Sequence, residues 1–278
     1  NPCSNLAGRL NWNSQNRSLD LEAAFNTPPA RSTLRIGSKD GETDITVRNI
    51  PAAYLTRILD IEGDAPLAGI VGSSSLQINH EFLRGRAVLD PGPPHPPGQP
   101  FVAMGTIDFL RDKKNKQTTF SGQRLQFDGG RVSIEGRTDS LAKTTRIRID
   151  AVLENLENMA PYSAYYLGID LLPWKLSGGG GSFHLELDKR PGRKQIDSLL
   201  QLTGFLANGQ AIRSLQGSIR IMPLLGRGDF QIRAADLESR VELDIADHKT
   251  TIHFRNVAGE AQKIVKILGM DLDLRGRI

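Results

Sequence analysis

The chain has 278 residues, 38% hydrophobic and 24% charged, with a formal net charge of +4. That length supports one large or two ordinary domains, and the apolar fraction is low for a compact globule yet too high for disorder. The mild basicity fits an anionic membrane surface as well as nucleic acid, while 10 Phe, 4 Tyr and 2 Trp are few for base stacking. Cys3, the one cysteine, excludes an internal disulfide framework and a four-cysteine zinc site. No run nears the roughly 20 apolar residues of a membrane span. The chain begins at Asn1 rather than Met, so processing or trimming is expected, and any signal or anchor helix would lie upstream.

Residues 7–47 read as strands. Leu19, Leu21 and Ala23 alternate with Asp20 and Glu22, Leu34 and Ile36 flank Arg35, and Ile45 and Val47 flank Thr46. A period of two with one polar side marks a half-buried strand. Pro28-Pro29 and Asp40-Gly41 separate these strands as turns. A helix is expected over 50–61, where Tyr54, Leu55, Ile58 and Leu59 recur at helical spacing. Residues 63–74, rich in Gly and Ser, are expected to be irregular. Leu76, Ile78, His80 and Phe82 then alternate with Gln77, Asn79 and Glu81. The proline run at 91–100 can enter neither helix nor sheet. It reads as an extended surface loop or hairpin tip, in preference to a ligand for a partner domain.

Strands return from 101 to 153, with Ile107/Phe109, Leu125/Phe127, Val132/Ile134 and Ile147/Ile149 each set among polar neighbours. Gly129-Gly130 reads as a hairpin turn. Asp112 to Lys116 reads as a solvated charged tip, with a lipid-headgroup contact as the functional alternative. A second helix is expected over 157–167, with Tyr162, Tyr165 and Tyr166. The run Gly178 to Ser182 has the composition of a flexible linker. Small residues also stand at the matching place Gly72 to Ser75, which argues instead for close backbone approach or a bulge at a strand start. Strands resume over 183–255: Phe183/Leu185/Leu187, Leu200/Leu202, Ile219/Ile221, Phe230/Ile232, Val241/Leu243/Ile245 and Ile252/Phe254. A third helix is expected over 258–268.

An internal repeat orders these elements. Val47-Arg48-Asn49-Ile50, Leu153-Glu154-Asn155-Leu156 and Phe254-Arg255-Asn256-Val257 each precede a helical segment and a glycine step, spaced about a hundred residues apart. The units read as 1–153, 154–254 and a truncated 255–278, so the chain is expected to be a fragment of a longer repetitive protein. The fold class is mainly β: an elongated antiparallel curved sheet forming a groove or flattened barrel, with about three short helices at the repeat junctions. Alternation throughout leaves one face apolar. With few large aromatics and no long helices to cover it, that face must be sheltered by the sheet itself.

Chemistry-bearing patterns are missing. His80, His95, His184, His248 and His253 lack metal-ligand spacing, and no nucleophile elbow, P-loop or Rossmann fingerprint is present. Asp271 and Asp273 read as the solvent side of a strand, and nothing near Cys3 in sequence would lower its pKa. No enzyme, metal or cofactor is expected. A polysaccharide hydrolase would need two converging carboxylates, and none stands out.

The stretch 155–168, Asn-Leu-Glu-Asn-Met-Ala-Pro-Tyr-Ser-Ala-Tyr-Tyr-Leu-Gly, precedes Ser-Gly-Gly-Gly-Gly-Ser-Phe-His-Leu-Glu-Leu at 177–187, and Ile-Leu-Gly-Met-Asp-Leu-Asp-Leu-Arg-Gly-Arg-Ile closes the chain at 267–278. This pattern resembles the AsmA-like, TamB-like envelope proteins of Gram-negative bacteria. The resemblance implies an inner-membrane anchor upstream, a periplasmic β-sheet groove, phospholipid acyl chains as ligand, and a role in lipid transport or outer-membrane maintenance, with an outer-membrane protein as a possible partner. The family has no catalytic residues to carry over. The alternating apolar residues named above from Leu76 to Phe254, Leu200 and Leu202 apart, are then the candidate groove lining. The competing expectation is a structural or adhesive β-repeat with a closed core that binds protein or glycan by its outer face.

Overall fold

The two-residue rhythm is realised as strand after strand. In the computed structural model of the chain, the described residues are 4–15, 17–27, 30–51, 71–90, 105–127, 129–157, 175–223, 225–234, 237–246, 249–258 and 266–267. They form β1 (Ser4–Asn13), β2 (Ser18–Thr27), β3 (Ala30–Lys39), β4 (Glu42–Pro51), β5 (Val71–Ile78), β6 (Phe82–Asp90), β7 (Gly105–Asp112), β8 (Gln117–Phe127), β9 (Gly130–Asp139), β10 (Thr144–Leu153), β11 (Leu176–Arg190), β12 (Arg193–Ala207), β13 (Gln210–Met222), β14 (Leu225–Ala234), β15 (Glu238–Ala246) and β16 (Lys249–Ala258). The hydrogen-bonding order is the chain order, so one 16-stranded antiparallel sheet runs from β1 to β16. β1 and β16 are its two ends, and it is not closed into a barrel.

The starts of the first and third helices expected from sequence need correction. Ile50 and Pro51 close β4, and Ala258 closes β16. Residues 52–61, 158–167, 259–265 and 268 lie outside the described residues, and among those described only Lys266 and Ile267 are helical. The proline run at 91–100 also lies outside them. It falls between β6 and β7, which pair as a hairpin through Val88 with Thr106 and Leu89 with Gly105. β9 already begins at Gly130, so of the two glycines expected to form the turn only Gly129 lies in it.

The chain divides into two units. The first comprises Asn1–Phe127 with Glu135–Leu141, the second Asp128–Ile134 with Ala142–Ile278. Turn chemistry matches the hairpins. Asp40 and Gly41 have φ of 52° and 82°, and Asn208 and Gly209 have 50° and 76°. This double positive φ suits two-residue hairpin loops, and Asx-Gly supplies it at least cost.

The repeated asparagine has a backbone role. Asn49 and Asn256 take the left-handed conformation, with φ of 54° and 52°, a region where Asn is enriched. At Asn49 the β4–β5 register shifts between Val47 and Ile50, and the Ser32 hydroxyl donates to the Asn49 carbonyl at 2.8 Å. Asn155 instead caps a turn, its side chain accepting the Glu157 N–H at 3.0 Å. The glycine run is strand, not linker: Gly178 to Ser182 lie inside β11, and Gly178, Gly180, Gly181 and Ser182 pair with β12.

Candidate functional site

Cross-strand register decides which residues share a face, because opposed residues in an antiparallel pair point the same way. In the first unit, Leu21, Ile36, Ile45 and Leu76 oppose one another across β2 to β5. The row continues through Gly85 and Phe109 to Phe120. Beside it run Ala23, Leu34, Val47, Ser74, Ala87 and Ile107. Val47 is buried at the centre, against Leu34 and Ile45.

Phe82 departs from expectation. Ile78 pairs with Leu83, so the apolar row passes through Leu83, and Phe82 pairs with Asp112 on the polar face. The turn over Asn79, His80 and Glu81 breaks the alternation that Leu76, Ile78, His80 and Phe82 suggested. Asn79 closes this turn by accepting the Glu81 and Phe82 N–H groups, and the Arg84 guanidinium stands 5.5 Å from the centre of the Phe82 ring. Further along, Arg124 has φ of 54°. A bulge there lets Gly122 and Leu125, three residues apart, both face the apolar side, with Phe127 on the same strand face as Leu125. Gly136 faces the Phe120 ring, which places Val132 and Ile134, at two-residue steps in β9, on the same strand face.

The second unit carries the longest rows. Ile147, Leu187, Ile196, Ile221, Gly226 and Ile245 oppose one another from β10 to β15. The next row is Ile149, Leu185, Ser198, Ile219, Gly228, Leu243 and Ile252. The third is Ala151, Phe183, Leu200, Gly217, Phe230, Val241 and Phe254. The fourth joins Leu153, Gly181, Leu202, Leu215, Ile232 and Ser239. All the second-unit lining residues expected on β10 to β16 fall on this one face.

Its burial is graded. In the fourth row Leu153, Leu202 and Ser239 are buried, and Phe205, Ala207 and Ile212 beyond it are buried too. The first two rows, nearest the β11–β12 and β13–β14 turns, hold no buried side chain among those described, and Ile221 is exposed. The face is therefore closed at one end of its strands and half-open at the other. Its relief is low as well. Phe109 and Phe230 each lie over the glycine opposite, their nearest ring atoms 2.4 Å and 2.3 Å from where a Cβ of Gly85 or Gly217 would stand. Glycine beneath an aromatic ring lets the ring settle onto the sheet.

The opposite face is a ladder of charges. Arg220 reaches Asp197 at 2.5 Å, Arg255 reaches Glu242 at 2.6 Å, and Arg240 pairs with Asp229. In the first unit Arg86 meets Asp108 at 2.6 Å. These exposed pairs add little stability each, but they identify the solvent side. Asp150 accepts from Arg148 at 2.8 Å and meets His184 at 2.6 Å. Among the described residues no three His, Cys, Asp or Glu are grouped to hold a metal ion, and no helix is long and apolar enough to cross a membrane.

No protein-family model, curated protein or solved structure matches the chain.

The charge ladder gives a pH prediction. The hydrogen bond from Arg220 holds the Asp197 carboxyl below its ordinary value of 3.8. Arg148 and then His184 do the same for Asp150, and Arg190 for Asp188. A depressed folded pKa stabilises the fold above the unfolded pKa, and the stabilisation is lost as pH falls through the folded value. The melting temperature is thus expected to be level from neutral pH down to the carboxylate range and to fall below it. Asp197→Asn should lower the neutral-pH melting temperature slightly, the gap to the parent closing in acid. A gap that persists in acid would assign the effect to something other than ionisation.

Proposed function

We propose that the apolar face of the second unit binds phospholipid acyl chains, and that the protein belongs to the AsmA-like envelope proteins, working in the periplasm to carry or hold lipid between inner and outer membranes. The observation that carries this reading is the half-open pair of rows from Ile147 to Ile245 and from Ile149 to Leu243. An acyl chain of about 16 carbons exposed to water costs on the order of 10 kcal/mol, at about 0.8 kcal/mol per methylene. A continuous apolar surface offsets that cost and requires no pocket of fixed chemistry. Low relief suits a chain that slides, and the charged face keeps the other side of the sheet in water. The competing closed-core adhesive module would need these rows fully packed. An upstream membrane anchor and an outer-membrane protein partner come with the family resemblance and are proposed with it.

Native mass spectrometry of the protein purified from bacterial membranes tests the reading. Adducts with phospholipid masses are expected. A bare polypeptide mass, together with no uptake of a fluorescent long-chain fatty acid, would sink it.

A further inference from the structure

The turn between β13 and β14 breaks the rule that the strands around it obey. Ile221, Met222, Pro223, Leu224 and Leu225 form an unbroken apolar run, whereas alternation supplies the apolar face with only every second side chain. Ile221 pairs with Gly226 and belongs to the apolar rows. Met222 pairs with Leu225, on the side of the sheet that carries the charges. Leu225 is 55% exposed, Met222 41% and Ile221 38%. Large apolar side chains exposed together on the charged side of a sheet, as Met222 and Leu225 are, lower solubility and call for a partner.

The neighbouring tip is cationic. Lys189 stands opposite Lys194 and Arg190 opposite Arg193, and all four are exposed. Like charges placed opposite one another destabilise a hairpin. From 188 to 194 the one acid, Asp188, holds Arg190 at 2.7 Å. Ile196 of β12 pairs with Ile221 of β13, so the basic tip and the apolar tip sit side by side at one end of the second unit. The half-open rows of the apolar face lie at that same end.

We propose that this end of the second unit docks on an anionic phospholipid bilayer, with Met222 and Leu225 entering the boundary between headgroups and acyl chains and Lys189, Arg190, Arg193 and Lys194 facing phosphates. Apolar insertion combined with a cationic patch is the combination that holds a protein at a lipid surface. A nucleic acid would satisfy the cations and leave the apolar tip in water. Docking does not require acyl chains on the sheet face, but it would set the open end of that face against the bilayer.

Vesicle co-sedimentation of the full chain tests this, with phosphatidylcholine alone against equimolar phosphatidylcholine and phosphatidylglycerol at low salt. Retention is expected on the anionic vesicles. Met222→Ser with Leu225→Ser should weaken it by about tenfold to a hundredfold. Lys189→Gln with Lys194→Gln should weaken it by about fivefold for each cation removed. In Leu225→Trp, the new tryptophan should shift to shorter emission wavelength on the same vesicles and be quenched by brominated acyl chains. Undiminished retention of both double variants, an unshifted Leu225→Trp emission, or retention of duplex DNA with none of vesicles each overturns docking. Uptake of a fluorescent fatty acid is measured in parallel and should be unchanged in the tip variants. Loss of vesicle retention with uptake intact then reports on the tip, whereas failed uptake in the parent chain reports on the sheet face.

Discussion

Leu185→Asp combined with Leu243→Asp is expected to lower the affinity for a fluorescent long-chain fatty acid at least about a hundredfold. Both residues stand in one register row, joined through Ser198, Ile219 and Gly228. Both are partly exposed, so the new carboxylates can stay hydrated in the free protein. A bound chain would have to strip that water, which costs several kcal/mol per charge. Each lost leucine contact removes about 1.5 to 3 kcal/mol more. Thr203→Asp with Gln216→Asp introduces the same charges on the opposite face, where both residues are exposed, and should leave binding unchanged. Far-ultraviolet circular dichroism should show the same sheet content in both. Equal loss in both double variants would mean that net charge, not the face, controls binding.

Gly181→Val should destabilise the second unit by about 3 kcal/mol or more. A Cβ there would stand 1.9 Å from the Gln201 carbonyl oxygen and 2.9 Å from the Leu202 Cα. Backbone cannot rotate away as a side chain can, so the β11–β12 pairing must open. Gly179 is constrained in another way, with φ of 64° and a would-be Cβ 2.6 Å from the Thr203 carbonyl oxygen. Gly37→Ala is the contrast. It has nothing within 4 Å of its would-be Cβ, and the change should be neutral or slightly stabilising. Urea melts of the two variants check the ranking; a Gly181→Val midpoint equal to the parent's would show that the glycine run is dispensable.

The strands and their apolar side were legible because period-two alternation acts directly on burial. Phe183, Leu185 and Leu187 could be set against Val241, Leu243 and Ile245 without knowing their partners, since every hairpin preserves the facing of its strands when the turn keeps register. Phe82 shows where that fails. Alternation read straight through Asn79, His80 and Glu81 cannot register a turn whose residue count moves the apolar position to Leu83. The Arg124 bulge is equally silent in sequence, because an arginine gives no sign of a left-handed backbone. The gradation of burial was hidden too: Leu202 and Leu243 look alike in the pattern, and only their distance from the closed end separates them. The apolar tip could have been found. Five apolar residues in succession at 221–225 conflict with a half-buried strand, and the conflict is visible before any fold is known.

Because every strand bonds only to those just before and after it in the chain, the sheet has no long-range closure to satisfy. Any hairpin can serve as a folding nucleus, with growth passing outward by short loop closures. The same wiring constrains how such a gene could change length. Loss or duplication of strands by twos would leave the cationic and greasy tips at the same end of the molecule, while an odd number would send every later turn to the opposite end.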